Sequence, residues 1–486
     1  MIETVSIPNG PSLDDYAASM FLTEQVARLR ATAEEIAPKF AGRTLWVVNS
    51  TARGGGVAEM LPRQVAILNE LGIKTTWAVI STRRLEFFEL TKRLHNLLHG
   101  SGEPRITEAD QDLYALVSRE LQDEFQPLVG NDDILMIHDP QPAGMGALVK
   151  KELGLAGVWR CHIGLDEDLP QTRAGWSLLE PYVTQYERAV FTAREYVPPF
   201  LADRAHVICP ALDPYSHKNR PLRVPEVVEI LSRAGLTNPA QPLLPPPFEH
   251  GVERLQVDGS FAPATVPEDL GLLYRPIVME VSRWDRLKGW APLVEGFAIL
   301  KRRAADEPDP AYRRVLEQVV LLLAGPEPAA VQDDPEAVEV MAELSRIYRG
   351  LSPELQRDVA LLSLPMGDFR ENALTVNALH QVSTVVVQNS LREGFGLTAT
   401  EPMWKGTPVL TSSACGLRQQ VRPGIDGEMI KDATDPAEIA EALGRLLRDP
   451  KRRTALARNA QRRVGEEFLV FNQVRRELDV LDTLLG

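Results

Sequence analysis

Short apolar stretches and longer stretches of helical periodicity alternate along most of the chain. Thr44-Leu45-Trp46-Val47-Val48-Asn49-Ser50 has the length and composition of a buried strand. Apolar residues then recur at helical spacing over 57–71, and Gly72 closes the element before a second strand-like stretch at 74–80. This is a βαβ unit, and the pattern repeats. Helical stretches at 84–98 and 108–121 lead to a strand at 134–137, and further strands are predicted at 158–163, 189–192 and 206–209. An amphipathic helix is predicted over 13–40.

After about residue 212 the pattern lapses. The segment to 274 contains Leu243-Leu244-Pro245-Pro246-Pro247, which excludes regular helix, and reads as a linker with a helix at 225–234 and an irregular excursion. Alternation then resumes, with strands at 277–281, 319–326, 359–364, 384–387 and 408–411. Helices are predicted at 292–302, 336–348, 371–380 and 436–447, and charged helical sequence at 450–465 and a tail at 471–485 end the chain. The fold class is therefore α/β, with two doubly wound Rossmann-like domains at 1–215 and 275–469, joined by 216–274. Two such domains are expected to face each other across a central cleft, with strand ends from both sides turned toward it.

Length agrees, because 486 residues exceed one ordinary core. A hydrophobic content of 44% with 25% charged residues describes a globular chain. The formal charge of −14 argues against nucleic acid and anionic membrane as partners, since both select basic surfaces. Met1-Ile2-Glu3-Thr4 has neither the basic nor the apolar region of a secretory signal, and no apolar run reaches the ~20 residues of a membrane span. Cys161, Cys209 and Cys415 are isolated and odd in number, so a reducing, cytoplasmic setting without a metal cluster is expected.

The chemistry concentrates at strand ends. The strand at 384–387 runs into Asn389-Ser390-Leu391-Arg392-Glu393-Gly394-Phe395-Gly396-Leu397-Thr398-Ala399-Thr400-Glu401, a glycine-bearing turn that opens a helix. Backbone N–H groups and the positive end of the helix dipole suit a phosphate at such a turn. Glu393 and Glu401 repel phosphate but grip hydroxyl groups, so the stretch suits a ligand with both phosphate and sugar. Glu401 has a second reading, because Thr398-Ala399-Thr400-Glu401 fits a capping box; nothing local explains Glu393. Arg283 and Lys288 follow the strand at 277–281 with a spacing that suits a doubly charged leaving group. Thr51-Ala52-Arg53-Gly54-Gly55-Gly56 allows close approach of a ligand to the backbone, without the GxGxxG spacing of a dinucleotide site. His138-Asp139-Pro140-Gln141-Pro142 places polar side chains at another strand end.

In combination these residues resemble the retaining, nucleotide-sugar-dependent glycosyltransferases of GT-B fold. The resemblance is carried by the loop Gly54 to Gly56, by Arg283 and Lys288, and by Glu393 and Glu401 within Glu-Gly-Phe-Gly-Leu-Thr-x-x-Glu. Within that fold the chain resembles the trehalose glycosyltransferring synthases, which join a nucleotide-linked glucose to free glucose. The stretches concerned are Val48-Asn49-Ser50-Thr51, Gly54 to Glu59, His138 to Pro142, Trp159-Arg160-Cys161-His162-Ile163, Leu391 to Thr398 and Met403-Trp404-Lys405-Gly406, and the likeness covers about 44–480.

The resemblance implies roles residue by residue. Glu401 would bind the ribose and Glu393 a hydroxyl of the transferred sugar. Arg283 and Lys288 would hold the diphosphate, helped by the N–H groups of the turn Gly394-Phe395-Gly396-Leu397. His138 would lie near the reacting carbon, and Gly54, Gly55 and Gly56 close to the donor. Asp139, Gln141 and His162 would line the acceptor, and the tail 470–486 would cross back to the first domain. A UDP-, ADP- or GDP-glucose co-substrate is implied, with small sugars as partners, no obligatory metal or other cofactor, and room for a homodimer. A trehalose phosphorylase of the same fold, a glucosyltransferase with another small acceptor and a catalytically silent nucleotide-sugar-binding protein are the alternatives. Pro402 and Ala414-Cys415-Gly416-Leu417 depart from the family pattern.

Overall fold

The computed structural model describes all residues except 9, 20–21, 53–55, 239–244, 329–335 and 486. The chain forms two compact units, Met1–Asp213 with Gly465–Gly486, and Pro214–Val464.

The first unit is built on β1 (Ile2–Thr4), β2 (Leu45–Asn49), β3 (Thr75–Ile80), β4 (Ile134–His138), β5 (Ala156–Cys161), β6 (Arg188–Phe191) and β7 (Ala205–Val207). Their order is β1-β3-β2-β4-β5-β6-β7, parallel except for β1, which pairs antiparallel with β3 through Ile2 and Ile80. From β2 the chain first moves outward to β3 and then returns to the other side with β4. Strand order therefore reverses between β2 and β4, where Val48 pairs with Ile137. β2 and β4 are buried along their whole length, as strands covered by helices on both faces must be.

The second unit carries β8 (Glu253–Leu255), β9 (Phe261–Pro263), β10 (Ile277–Val281), β11 (Val320–Pro326), β12 (Val359–Leu364), β13 (Val385–Gln388), β14 (Val409–Thr411) and β15 (Glu428–Met429). Their order is β15-β14-β13-β10-β11-β12-β8-β9, and β10 to β15 are all parallel. Here the reversal falls between β10 and β13. Successive side chains of β11 go to opposite faces: Leu321 and Leu323 join a core with Trp284, Trp290 and Phe297, while Val320, Leu322 and Ala324 join one with Leu231, Met279 and Leu362.

Several expectations need correction. The segment 216–274 is not merely a linker, because its helix Val224–Arg233 packs on the helix Phe369–Val382 and its strands β8 and β9 extend the second sheet antiparallel. Leu231, Leu236 and Phe248 from this segment are core residues, and periodicity did not show β8 and β9 because each is only three residues long. The stretch 13–40 is broken into helices Leu13–Ala17 and Thr23–Ile36 followed by a short 3-10 turn. Pro140 opens the helix Pro140–Leu153, since proline's missing N–H is tolerated at a helix start. Among the described residues no helix is long and apolar enough to cross a membrane.

Candidate active site

In the second unit the turns after β10 and β13 meet at the reversal point, where ligands of open α/β sheets bind. Gly289 makes this meeting sterically feasible: its φ is +64°, and a Cβ there would lie 2.2 Å from the carbonyl oxygen of Asn389. Asn389 in turn donates to the carbonyls of Gly289 and Ala433 at 2.9 and 3.0 Å, and the N–H of Leu391 donates to Leu287 at 2.6 Å. The two turns are thus bonded through their backbones. The result is that Lys288 Nζ stands 2.6 Å from Glu393 Oε2, with both side chains about nine-tenths buried. The hydroxyl of Ser390 donates to the same oxygen at 3.1 Å.

Beneath this pair lies a carboxyl group that the sequence reading missed. Glu280 of β10 is fully buried and accepts from Gln388 Nε2 at 3.3 Å and from the Asn389 N–H at 3.4 Å. Burial pushes its pKa well above the usual range, opposed by Lys288 and reinforced by Glu393. Its signal was available, as the one charged residue in Ile277-Val278-Met279-Glu280-Val281.

The glycine-bearing turn is held from behind. The N–H of Gly416 donates to Glu393 O at 3.0 Å, and the amide of Gln420 donates to the Phe395 carbonyl. A Cβ at Gly416 would lie 2.5 Å from Phe395 Cα, so the one glycine kept in Ala414-Cys415-Gly416-Leu417 is where the backbones approach. Gly396, at φ +76°, is the N-cap of the helix Leu397–Trp404, leaving Leu397 as its first residue. Helix N-termini leave their first N–H groups without intrahelical partners, so this turn can accept an anion.

The capping-box reading of Glu401 fails. Thr398 lies inside the helix, and its hydroxyl donates to Gln388 Oε1 at 2.5 Å. Glu401, 5% exposed, instead stands 3.7 Å from Lys218 Nζ. Lys405, whose ammonium donates to Asn219 at 3.3 Å, is pulled down to about 7 by desolvation against the support of Glu401. Pro402 is buried within the same helix. Arg283 has different surroundings from Lys288: its side chain is 64% exposed and pairs with Asp285 at 3.6 Å.

In the first unit, His138, Asp139 and His162 form a knot at the ends of β4 and β5. His138 Nδ1 and His162 Nε2 are 3.1 Å apart, and the rings are stacked. Asp139 has φ +64° and ψ 179°, rare for a residue with a side chain, and such strain clusters at functional positions. Three bonds hold it: its N–H donates to Arg160 O at 2.8 Å, its carboxylate accepts from the His162 N–H at 2.8 Å, and its carbonyl accepts from Trp159 Nε1 at 3.1 Å. Desolvation pushes Asp139 up to about 7, and burial with the nearby Arg160 charge keeps both histidines well below their ordinary value, hence neutral. His138 Nε2 and Gln141 Oε1 are buried without a hydrogen-bond partner among the described residues, which marks them for a ligand's polar groups. Gly56 begins the helix Gly56–Glu70, whereas Gly54 and Gly55 lie outside the described residues. No group of three or more His, Cys, Asp or Glu among the described residues is placed to hold a metal ion.

Residues 47–198 match the family model described as trehalose synthase, N-terminal domain, and residues 369–463 match glycosyl transferases group 1. The chain is 34% identical to a trehalose synthase of Pyrococcus horikoshii over 478 residues, covering 98% of this chain and 97% of the relative. The chain belongs to the trehalose synthase family. It is therefore a glycosyltransferase, related also to a trehalose phosphorylase of Grifola frondosa, at 25% identity over 86% of this chain and 54% of that one. Its GT-B fold is shared with a UDP-forming α,α-trehalose-phosphate synthase from Burkholderia xenovorans, at a TM-score of 0.64 and 17% identity over 91% of this chain and 99% of that one. The two matched models fall on the two units, 47–198 on the first and 369–463 on the second.

Proposed function

We propose that the protein transfers glucose from a nucleotide-glucose to free glucose with retention, forming trehalose. The observation that carries this reading is the Lys288–Glu393 pair beside the N-terminus of the helix Leu397–Trp404. One ligand with a diphosphate next to a sugar would satisfy all three elements at once. The ammonium and the helix N–H groups would take the diphosphate, with Arg283 swinging in from its exposed position, and Glu393 would take a sugar hydroxyl. Glu401 would bind the ribose. His138 would approach the transferred sugar, and Asp139, Gln141 and His162 the acceptor. The glycine loop 54–56 would lie close to the donor.

For the chemical step, the bond from the anomeric carbon to the phosphate oxygen breaks while the acceptor hydroxyl adds on the same face. The departing phosphate oxygen receives the acceptor's proton. Catalysis is then mainly positive charge held where negative charge develops, and two basic side chains with helix N–H groups supply it without an obligatory metal. Small sugars and the nucleotide-sugar are the partners in this reading, and the protein acts in the cytoplasm.

Incubation with UDP-, ADP- and GDP-glucose plus glucose, read by NMR, tests the proposal. A disaccharide with an α,α-1,1 linkage is the expected product, and any other linkage refutes it. The likeness to a trehalose phosphorylase favours a second reading, cleavage of trehalose by phosphate. Glucose 1-phosphate formed from trehalose and phosphate, with no turnover of any nucleotide-glucose, would establish that reading instead.

A further inference from the structure

We propose that the ion pair between Arg160 of β5 and Glu477 of the C-terminal helix Val470–Leu485 positions the His138–Asp139–His162 knot, and thereby sets how tightly the acceptor sugar is held. The inference rests on the acceptor role proposed for that knot.

Both side chains of the pair are 2% exposed. Arg160 faces His138 across the β4–β5 register, and its own carbonyl receives the N–H of Asp139 at 2.8 Å. Burial pulls the guanidinium down to about 10, far enough above neutrality that it stays charged. Its charge reaches Asp139, His138 and His162 alike. A sealed guanidinium requires a counter-charge. Glu477 supplies it. Asp139, whose N–H is bonded to the Arg160 carbonyl, receives the His162 N–H at 2.8 Å.

Glu477 is itself fixed. Gln473, one turn earlier on the same helix, donates to Glu477 Oε1 at 3.0 Å, and both residues are buried. The helix is anchored where it begins, by Leu212 N–H to Phe468 O at 2.8 Å and Val470 N–H to Leu212 O at 2.9 Å, and it packs along the helix Thr23–Ile36. A buried ion pair is not needed to fill such a space, because apolar side chains of similar volume commonly serve at least as well for stability. Holding the charged guanidinium of Arg160 at one place beside Asp139, His138 and His162 is a task that apolar side chains cannot perform.

The test uses the full chain with Glu477→Gln, Glu477→Asp and the double substitution Arg160→Met with Glu477→Leu. Steady-state kinetics are measured with each substrate varied, together with melting temperature. The ring 15N resonances of His138 and His162 are assigned through His138→Asn and His162→Asn. We expect Glu477→Gln to raise the acceptor KM by about 10- to 100-fold, the scale for misplacing a binding group by an ångström. Donor KM should hold, both histidine resonances should move, and Glu477→Asp should restore part of the affinity. The double variant should melt near the parent and keep the raised acceptor KM. A double variant with both parental melting and parental acceptor KM overturns the proposal, as do unmoved histidine resonances in Glu477→Gln, a reading that remains valid if the double variant does not fold. Loss of acceptor discrimination by His138→Asn and His162→Asn checks the underlying site separately. If those two variants turn over normally while Glu477→Gln still moves the resonances, the acceptor role fails and the positioning contact stands.

Discussion

Lys288 Nζ and Glu393 Oε2 are 2.6 Å apart, although they come from turns 105 residues apart in the chain. The pair sits where strand order reverses between β10 and β13. In the proposed function, a diphosphate would replace the mutual contact at the lysine and a sugar hydroxyl would replace it at the glutamate, so that neither buried group would be left without a partner. Lys288→Ala is expected to lower kcat by about 10²- to 10³-fold, the loss for one preorganised charge-stabilising donor. Turnover near that of the parent in a correctly folded variant would sink the proposed role.

Glu401 is no helix cap, so a change in donor binding on its substitution does not come from a lost cap. Glu401→Gln is expected to raise donor KM by at least about tenfold, as for loss of a hydrogen bond to a charged group. Titrating donor in kinetics and following thermal melting of the same preparation checks this. A lowered melting temperature with unchanged donor KM would make the carboxylate only a counter-ion for Lys218, 3.7 Å away, and for Lys405.

Asp139 links pH to stability. Its pKa is raised from 3.8 to about 7, so between those values the folded chain holds a proton that the unfolded chain has released. Stability from this group therefore falls as pH rises through the window: there is no penalty below about 4, and the full penalty, at most a few kcal/mol, applies above about 7. Asp139→Asn keeps a carbonyl oxygen for the His162 N–H and removes the charge. Its melting temperature should exceed that of the parent at pH 8 and converge with it at pH 4; an equal difference at both values contradicts the assignment.

Three glycines with different surroundings predict a graded series. At Gly42, φ is +80° and a Cβ meets nothing within 4 Å, so Gly42→Ala should cost only the backbone term, about 1–2 kcal/mol. Gly289→Ala adds a Cβ at 2.2 Å from the Asn389 carbonyl, and Gly416→Ala one at 2.5 Å from Phe395 Cα. Both should lose more stability than Gly42→Ala and should also weaken donor binding, because the turns they separate carry Lys288 and Glu393. Chemical denaturation of the three variants, with donor KM for each, checks the order.

Many residues of the candidate site were legible because the signals that single them out are local. Turns between strand and helix announce themselves by glycine, and polar residues at the end of an apolar run stand out, as at His138 and Glu393. Arg283 was legible as a basic residue but not in its setting, since an exposed side chain paired with Asp285 looks identical in sequence to a buried one. Glu280, Arg160 and Glu477 went unnoticed for the opposite reason. A single charged residue inside an apolar strand or an amphipathic helix gives no local sign of which distant group it meets.

The sequence by itself determined the alternation of strands and helices, the family resemblance and the identity of the chemical groups at the strand ends, because each depends on neighbours within a few residues. Tertiary structure alone decided that 216–274 joins the second unit's core and sheet, and that Thr398 does not cap the helix. It also decided that Lys288 meets Glu393 and that Glu477 meets Arg160. Strand order and helix docking set those meetings, and both follow from the summed burial of many residues far apart in the chain rather than from any one stretch.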